Sequence, residues 1–408
     1  MQKNDELTQR ILRFNRGRHP QLLRLKYDKM RMNAFIFLRG TCHLFFADWP
    51  QKSILNEAPR VWICGDLHLE NFGSYKGDNR LVYFDMNDFD EAALAPCTWD
   101  LARLMISTLV GAESLGFKES TALALCEHYL EAYVKALATG RSRYVEQETA
   151  RGLVRDLLVR LSARNRKDFL NERTKVVAGR RVFRTDHPRL LAAGALERDH
   201  VKDLFKAWAA RQPEPAFYKL HDIVRRIAGT GSLGVERFIL LVGGKGGPNN
   251  NYLLDLKEER PSALQPLLTQ LKLPQPRWAN QAARVAECEQ RVQSTPPALL
   301  AAINYHGKSY ILRELQPTLD RVSLISCKGN LAQLQPVLET MGETTAWAQL
   351  RSGGRQGSAI ADELMAFAQK PKWQRALLQY VKSYSQRVNE DYAQYCQAYD
   401  AGAFKAAR

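Results

Sequence analysis

The run GDLHLENFG, Gly65 to Gly73, crowds an acid, a histidine, an amide and two glycines behind the apolar run Val61-Trp62-Ile63-Cys64. Further on the pattern recurs: the apolar Leu81-Val82-Tyr83-Phe84 leads into Asp85-Met86-Asn87-Asp88-Phe89-Asp90-Glu91. Two short strands, at about 61–64 and 81–84, therefore each deliver acids to a loop. Outward from them, the first 50 residues read as helical, with Met30 to Leu38 mostly apolar and a stop at Gly40. A helix opens at Trp99-Asp100, and helices continue to about 210 with a basic, less regular stretch at 164–190. Beyond Pro213-Glu214-Pro215 the texture turns to β between about 221 and 257. A helix at about 278–292, an apolar segment at 299–303 and a strand at 309–315 follow. Long helices fill the remainder, including an amphipathic stretch from Trp373 to Tyr399.

The chain has 408 residues, 45% hydrophobic and 25% charged, which suits a globular protein with a sizeable core. No apolar run approaches the roughly 18 residues of a membrane span, and the N-terminus lacks the apolar core of a signal peptide. Seven cysteines are dispersed without a CxxC pair, so reduced thiols and a cytoplasmic location are expected, and structural zinc is not. The formal charge is +16, and residues 141–184 hold 13 Lys/Arg against 5 Asp/Glu. Such an excess serves either solvated helix faces or an anionic partner.

Gly229-Thr230-Gly231-Ser232-Leu233-Gly234 is a GxGxxG run, either a turn into a helix or a hairpin over phosphates. Val235 to Val242 follows and is too rich in β-formers for a helix, which favours the hairpin. Lys257 closes the next strand, where a kinase places the cation that pairs with nucleotide phosphates. Glu289, with Glu287 as the alternative, stands on the following helix where it can hold that lysine. Asp66 and Asn71 have the spacing DxxxxN, which in phosphotransferases puts a catalytic carboxylate and a magnesium-binding amide on one loop. Mg²⁺ takes hard oxygen ligands, so the second strand has to supply a carboxylate. Asp88 is the first choice, with Asp90 and Asp85 in reserve. His68 is a metal ligand, a phosphate contact or a hydrogen-bonded loop histidine, and Asp100 caps its helix or buttresses the loop.

With those residues in view, "GDLHLENFG", "NDFDEA" and Pro96-Cys97-Thr98-Trp99-Asp100-Leu101-Ala102 resemble the corresponding runs of aminoglycoside phosphotransferases and other kinase-like small-molecule kinases. That resemblance implies Asp66 as catalytic base, Asn71 and Asp88 as Mg²⁺ ligands, and Asp100 as buttress. The order departs from the family, because Gly229, Lys257 and Glu289 follow Asp66, so the arrangement resembles a circularly permuted kinase. From "FLRG" at Phe37 through "GTGSLG" and "LKEE" the chain also resembles the bacterial family of domain of unknown function twenty-two fifty-two. The expectation is an α+β, two-lobed, protein-kinase-like fold. Residues 211–318 are its small nucleotide lobe, and 1–210 with 319–408 its helical lobe. ATP lies in the cleft, with phosphates under Gly229, Thr230, Gly231, Ser232 and Gly234 and adenine against Glu314 and Leu315. The expected activity is Mg²⁺-dependent phosphoryl transfer to an unidentified hydroxyl acceptor, anionic or neutral, on a small molecule, a protein or a nucleic acid. The alternatives are a nucleotide-binding pseudokinase, a nucleotidyl transferase and a nucleic-acid-binding protein.

Overall fold

The computed structural model describes residues 2–184, 186–316 and 320–405 of a mixed α+β chain. It opens with α1 (Gln2–Phe14), α2 (Pro20–Met30), α3 (Ala34–Gly40) and α4 (Cys42–Ala47). The Asn33 side chain accepts the Ile36 N–H and so starts α3. Then come β1 (Arg60–Ile63), β2 (Phe72–Lys76), β3 (Val82–Met86) and β4 (Ala93–Pro96), β1 pairing antiparallel with β4 and β2 with β3. Two of these strands, β1 and β3, are those read from the sequence. The other two are short and carry glycine or proline, which hides them from a pattern search.

The helices α5 (Thr98–Gly111), α6 (Glu119–Ala138), α7 (Gly152–Ser162) and α8 (Arg166–Asn171) follow. Where the sequence suggests helices up to about 210, the chain instead forms the hairpin β5 (Thr174–Val177) and β6 (Arg180–Phe183), then β7 (Leu190–Leu191), before α9 (Ala195–Ala209). Next are β8 (Leu220–Arg226), β9 (Arg237–Val242), β10 (Tyr252–Glu259), α10 (Gln265–Gln270), α11 (Gln281–Val292), β11 (Ala301–Tyr305) and β12 (Lys308–Glu314). The chain closes with α12 (Leu331–Arg351), α13 (Ala361–Ala368) and α14 (Pro371–Asp400).

The six-stranded antiparallel sheet has the order β11-β12-β10-β9-β8-β7. Strand alternation gives it two faces. Phe238, Leu240, Leu254, Leu256 and Leu312 pack on α9 through Val201, Leu204 and Phe205. Ile239, Leu241, Leu253 and Leu315 meet Phe169, Phe183 and Leu190 on the other face. The sheet unit thus begins before residue 211: β7 forms its edge, and the apolar side of α9 has nowhere else to be buried. The boundary between 318 and 319 lies outside the described residues. The largest core joins α1 to α7 with α10 to α14, and α11 enters it through Val285, Cys288 and Val292, so this helix bridges the sheet and the helical layer.

Candidate active site

Register explains why acids gather at the strand ends. Ile63 pairs with Ala93, which brings the chain leaving β1 beside the chain entering β4, and Phe72 pairs with Met86, which sets Asn71 beside Asn87 and Asp88. The Asn87 N–H donates to the Asn71 carbonyl at 3.0 Å. The Asn71 amide donates to the carbonyls of Asp66 at 3.1 Å and Asp88 at 3.3 Å. Gly65 has φ +84°, and a Cβ there would lie 2.2 Å from the Glu91 carbonyl oxygen, so only glycine fits this crossing. Asp100, in the first turn of α5, accepts the N–H groups of Cys64 at 2.9 Å and Gly65 at 3.0 Å. It holds the loop after β1, and burial pushes its carboxyl up to about 6 against those two hydrogen bonds.

Arg103, one turn beyond Asp100 and fully buried, donates from Nε to Asp66 Oδ1 at 2.9 Å and from Nη2 to the Leu38 carbonyl at 2.6 Å. The sequence reading missed it, although its i, i+3 spacing from Asp100 puts both on one helix face. The Asp66 side chain is 21% exposed and faces the cleft. Asn71 Oδ1 is buried and has no hydrogen-bond partner, which marks it as an acceptor awaiting a donor or cation.

Lys257 reaches this loop from the sheet. Its ammonium pairs with Asp90 and lies 3.6 Å from Asp88 and 3.8 Å from Glu259. Burial works against ionisation of Asp88, but the Lys257 charge outweighs it and, with a hydrogen bond from Asp90, holds the Asp88 carboxyl below its usual range. Asp90 goes the other way, pushed up by burial and by the neighbouring Asp88 charge, against the pull of Lys257. Burial likewise lifts Glu259 to about 7.

The glycine run forms the turn between β8 and β9, with Arg225 paired to Phe238. Gly234 has φ +89°, and an added Cβ would meet Arg18 Cβ at 2.8 Å. Arg18 donates to the Gly231 carbonyl at 2.5 Å and the Leu233 carbonyl at 3.0 Å, and Lys26 to the Gly231 carbonyl at 2.9 Å. Among the described residues, the N–H groups of Gly229, Thr230, Gly231 and Ser232 meet no acceptor. The carbonyls are thus tied down by cations and the amides stay free. Neither Arg18 nor Lys26 leaves a local signal, since each lies more than 200 residues from the loop it anchors.

Asp66, Asn71, Asp88, Asp90, Lys257, Gly229, Thr230, Gly231 and Ser232 line one cleft of about 250 Å³. Several expectations do not join it. Glu289 is fully buried and pairs with Arg313, not with Lys257, because Arg313 lies on the neighbouring strand facing α11. Glu287 pairs with Arg291 on its own helix. Asp85 turns away to Arg351 at 3.3 Å. Gly234 shapes the turn without lining the cleft. Glu314 and Leu315 line a separate cavity of about 90 Å³, where Glu314 meets Arg80 and Arg166. They do not reach the glycine turn, because Leu315 is drawn into the apolar face of the sheet. His68 lies in the cleft with Nδ1 3.1 Å from the Glu70 N–H donor and Nε2 3.2 Å from the Arg39 Nε donor; burial with the Arg39 charge keeps the ring neutral, so it accepts from one of the two.

Carboxylates outnumber cations on the walls: Asp66, Glu70, Asp88, Asp90, Glu91, Glu258 and Glu259 face Arg18, Arg39, Lys257, Arg260 and Arg321. Burial raises Asp90, Glu91 and Glu259 among these acids, so the ionised carboxylates and the cations on the walls are close to balance. No group of three His, Cys, Asp or Glu among the described residues is placed to hold a metal. The donors on offer are Asn71 Oδ1 and the Asp88 carboxylate.

Fold and site together define an α+β protein with an acid-lined cleft between a glycine hairpin and a helix-braced loop. The chain belongs to the family described as uncharacterized protein conserved in bacteria (DUF2252), whose model matches residues 18–398. None of the curated proteins and none of the solved structures matches it. Among the described residues no helix is long and apolar enough to cross a membrane.

Proposed function

We propose that the chain is an ATP- and Mg²⁺-dependent phosphotransferase with a circularly permuted, kinase-like arrangement of two lobes, acting on a hydroxyl acceptor. The observation that carries this reading is the meeting of Asp66, Asn71, Asp88, Lys257 and the glycine hairpin in one cleft. The sequence of glycine hairpin, strand lysine and buried helix glutamate on β8–β9, β10 and α11 supports it, being the order in which a kinase uses them. Asn71 Oδ1 and Asp88 fit Mg²⁺, which keeps waters and phosphate oxygens as its other ligands and needs only one or two protein donors. When bound, the metal supplies charge neutralisation at the transferring phosphoryl group.

The remaining work falls to the chain. Arg103 fixes one oxygen of Asp66, so this carboxylate orients an acceptor hydroxyl and takes its proton as the bond forms. Asp100 keeps the loop backbone in place through Cys64 and Gly65. The free amides of Gly229 to Ser232 receive phosphate oxygens, and Lys257 exchanges its carboxylate partners for phosphate.

Incubation with ATP, Mg²⁺ and a panel of hydroxyl compounds, read by product mass, tests this: gain of a phosphoryl group is expected, and gain of an adenylyl group selects nucleotidyl transfer instead. Lys257→Ala should weaken ATP more than adenosine, measured by calorimetry, because its partner is phosphate; equal losses contradict the assignment. A nucleotide-binding protein without turnover is the second reading, favoured by the pairing of Glu289 with Arg313 and not with Lys257. ATP binding with no product of either mass selects it.

A further inference from the structure

Ion pairs neutralise part of the basic segment 141–184. Arg151 pairs with Glu343, Arg164 with Asp320 and Arg173 with Glu172. Among the described residues, Arg180 and Arg181 of that segment form no ion pair and stand beside further unpaired cations at the far end of the sheet. There α9 and the start of β8 border a groove that presents Lys202, Lys206 and Lys219. A second groove, sharing Lys219 and His221 with the first, continues past Arg180 to Lys245 in the loop GGKGGPNNN. Lys202, Lys206, Lys219 and Lys245 are exposed. None of the four forms an ion pair among the described residues, although Asp199, Asp222 and Glu214 also line the two grooves and Asp222 is taken by Arg198.

Beneath the loop lies Arg181, 2% exposed. It donates to the Pro248 carbonyl, to Asn249 Oδ1 at 3.0 Å, to Asn171 Oδ1 at 2.9 Å and to Thr174 Oγ1 at 3.0 Å. All four acceptors are neutral, so its charge adds to the surface field uncompensated. Along the same strip stand the half-buried rings of Phe217 and Tyr218, with centroids 4.9 Å apart, and Tyr218 also meets Trp208 edge-on at 4.8 Å. Strand β9 starts at the glycine turn and ends at this loop, so its six residues separate the strip from the acid-lined cleft by about 20 Å.

We propose that this strip binds single-stranded nucleic acid, with the lysines tracking phosphates and the Phe217–Tyr218 edge offering a face for bases. Cations spaced along a groove beside half-buried aromatic rings are what a flexible strand needs, and no base-specific donor is required. This site is independent of the phosphotransferase reading and stands or falls without it.

The test uses the full chain and a labelled single-stranded oligonucleotide about 16 nucleotides long. The wild type should bind it at low salt with a steep salt dependence. Replacing Lys202, Lys206, Lys219 and Lys245 together with Ala should lower the slope of log affinity against log salt by about 3, at about 0.7 for each phosphate no longer neutralised. The same four positions changed to Arg should restore it. Tyr218→Ala should weaken the oligonucleotide but not inorganic polyphosphate. Absence of binding at low salt, or an unchanged slope in the Ala variant with a native circular dichroism spectrum, overturns the proposal. Equal effects of Tyr218→Ala on both ligands overturn the nucleic-acid assignment in favour of a plain polyanion surface.

Discussion

Asp88→Ala should abolish the Mg²⁺-dependent part of stabilisation by ATP while leaving the fold in place. A ligand bound only by the native state at one hundred times its Kd adds about 2.7 kcal/mol, which a thermal melt resolves as a rise of several degrees. Asp88 lines the cleft with Asn71, whose Nδ2 donates to the Asp88 backbone carbonyl, so its loss removes one of the two proposed protein donors to the metal. The fold survives because Lys257 keeps Asp90 and Glu259 as partners. Without the Asp88 charge, Asp90 loses one of the influences that hold it protonated and ionises more readily beside the lysine. Asp85→Asn is the control, because Asp85 lies outside the cleft against Arg351 and its loss should leave the ATP shift intact. A Mg²⁺-dependent shift that persists in Asp88→Ala, or that vanishes equally in Asp85→Asn, removes the metal assignment.

The two acid-bearing loops, the glycine hairpin and the strand of Lys257 are legible in the sequence because each is local. Apolar alternation marks the strand, and the residues after it mark the loop. What the sequence hides is pairing across the chain. Lys257 and Glu289 are both where a kinase-like order puts them, yet the nearest opposite charges in space are Asp90 for one and Arg313 for the other. No periodicity encodes that choice, since it depends on which side chains of β10 and β12 face α11. The same holds for Lys26, which is fully buried, reads as an ordinary helix lysine and holds the Gly231 carbonyl. Strands β5, β6 and β7 are hidden for another reason: four residues or fewer leave too short a pattern to separate from the basic helices around them.

Asp100→Ala tests the brace behind the loop, and its effect should depend on pH in a direction fixed by burial. The substitution leaves the N–H groups of Cys64 and Gly65 buried without acceptors, at about 1–3 kcal/mol each. Against this, the wild type carries a cost of its own. The Asp100 carboxyl rises from 3.8 to about 6 on folding, because burial penalises its charged form. An acid whose pKa is raised in the native state favours that state fully below its unfolded pKa, and loses the advantage as pH rises through the folded value. At about 1.36 kcal/mol per pKa unit, the wild type therefore gives up about 3 kcal/mol in all as pH rises to 8, about 2 kcal/mol of it between pH 4 and pH 6. Ala at this position has no such dependence. Urea denaturation of the two proteins should show the largest destabilisation by Asp100→Ala near pH 4, shrinking through pH 6. Asp85, also lifted to about 6 by burial, titrates in both proteins and cancels in the difference. A difference that stays constant with pH assigns Asp100 a packing role alone. One that grows with pH means the native state holds the carboxylate ionised, with the Cys64 and Gly65 hydrogen bonds outweighing burial.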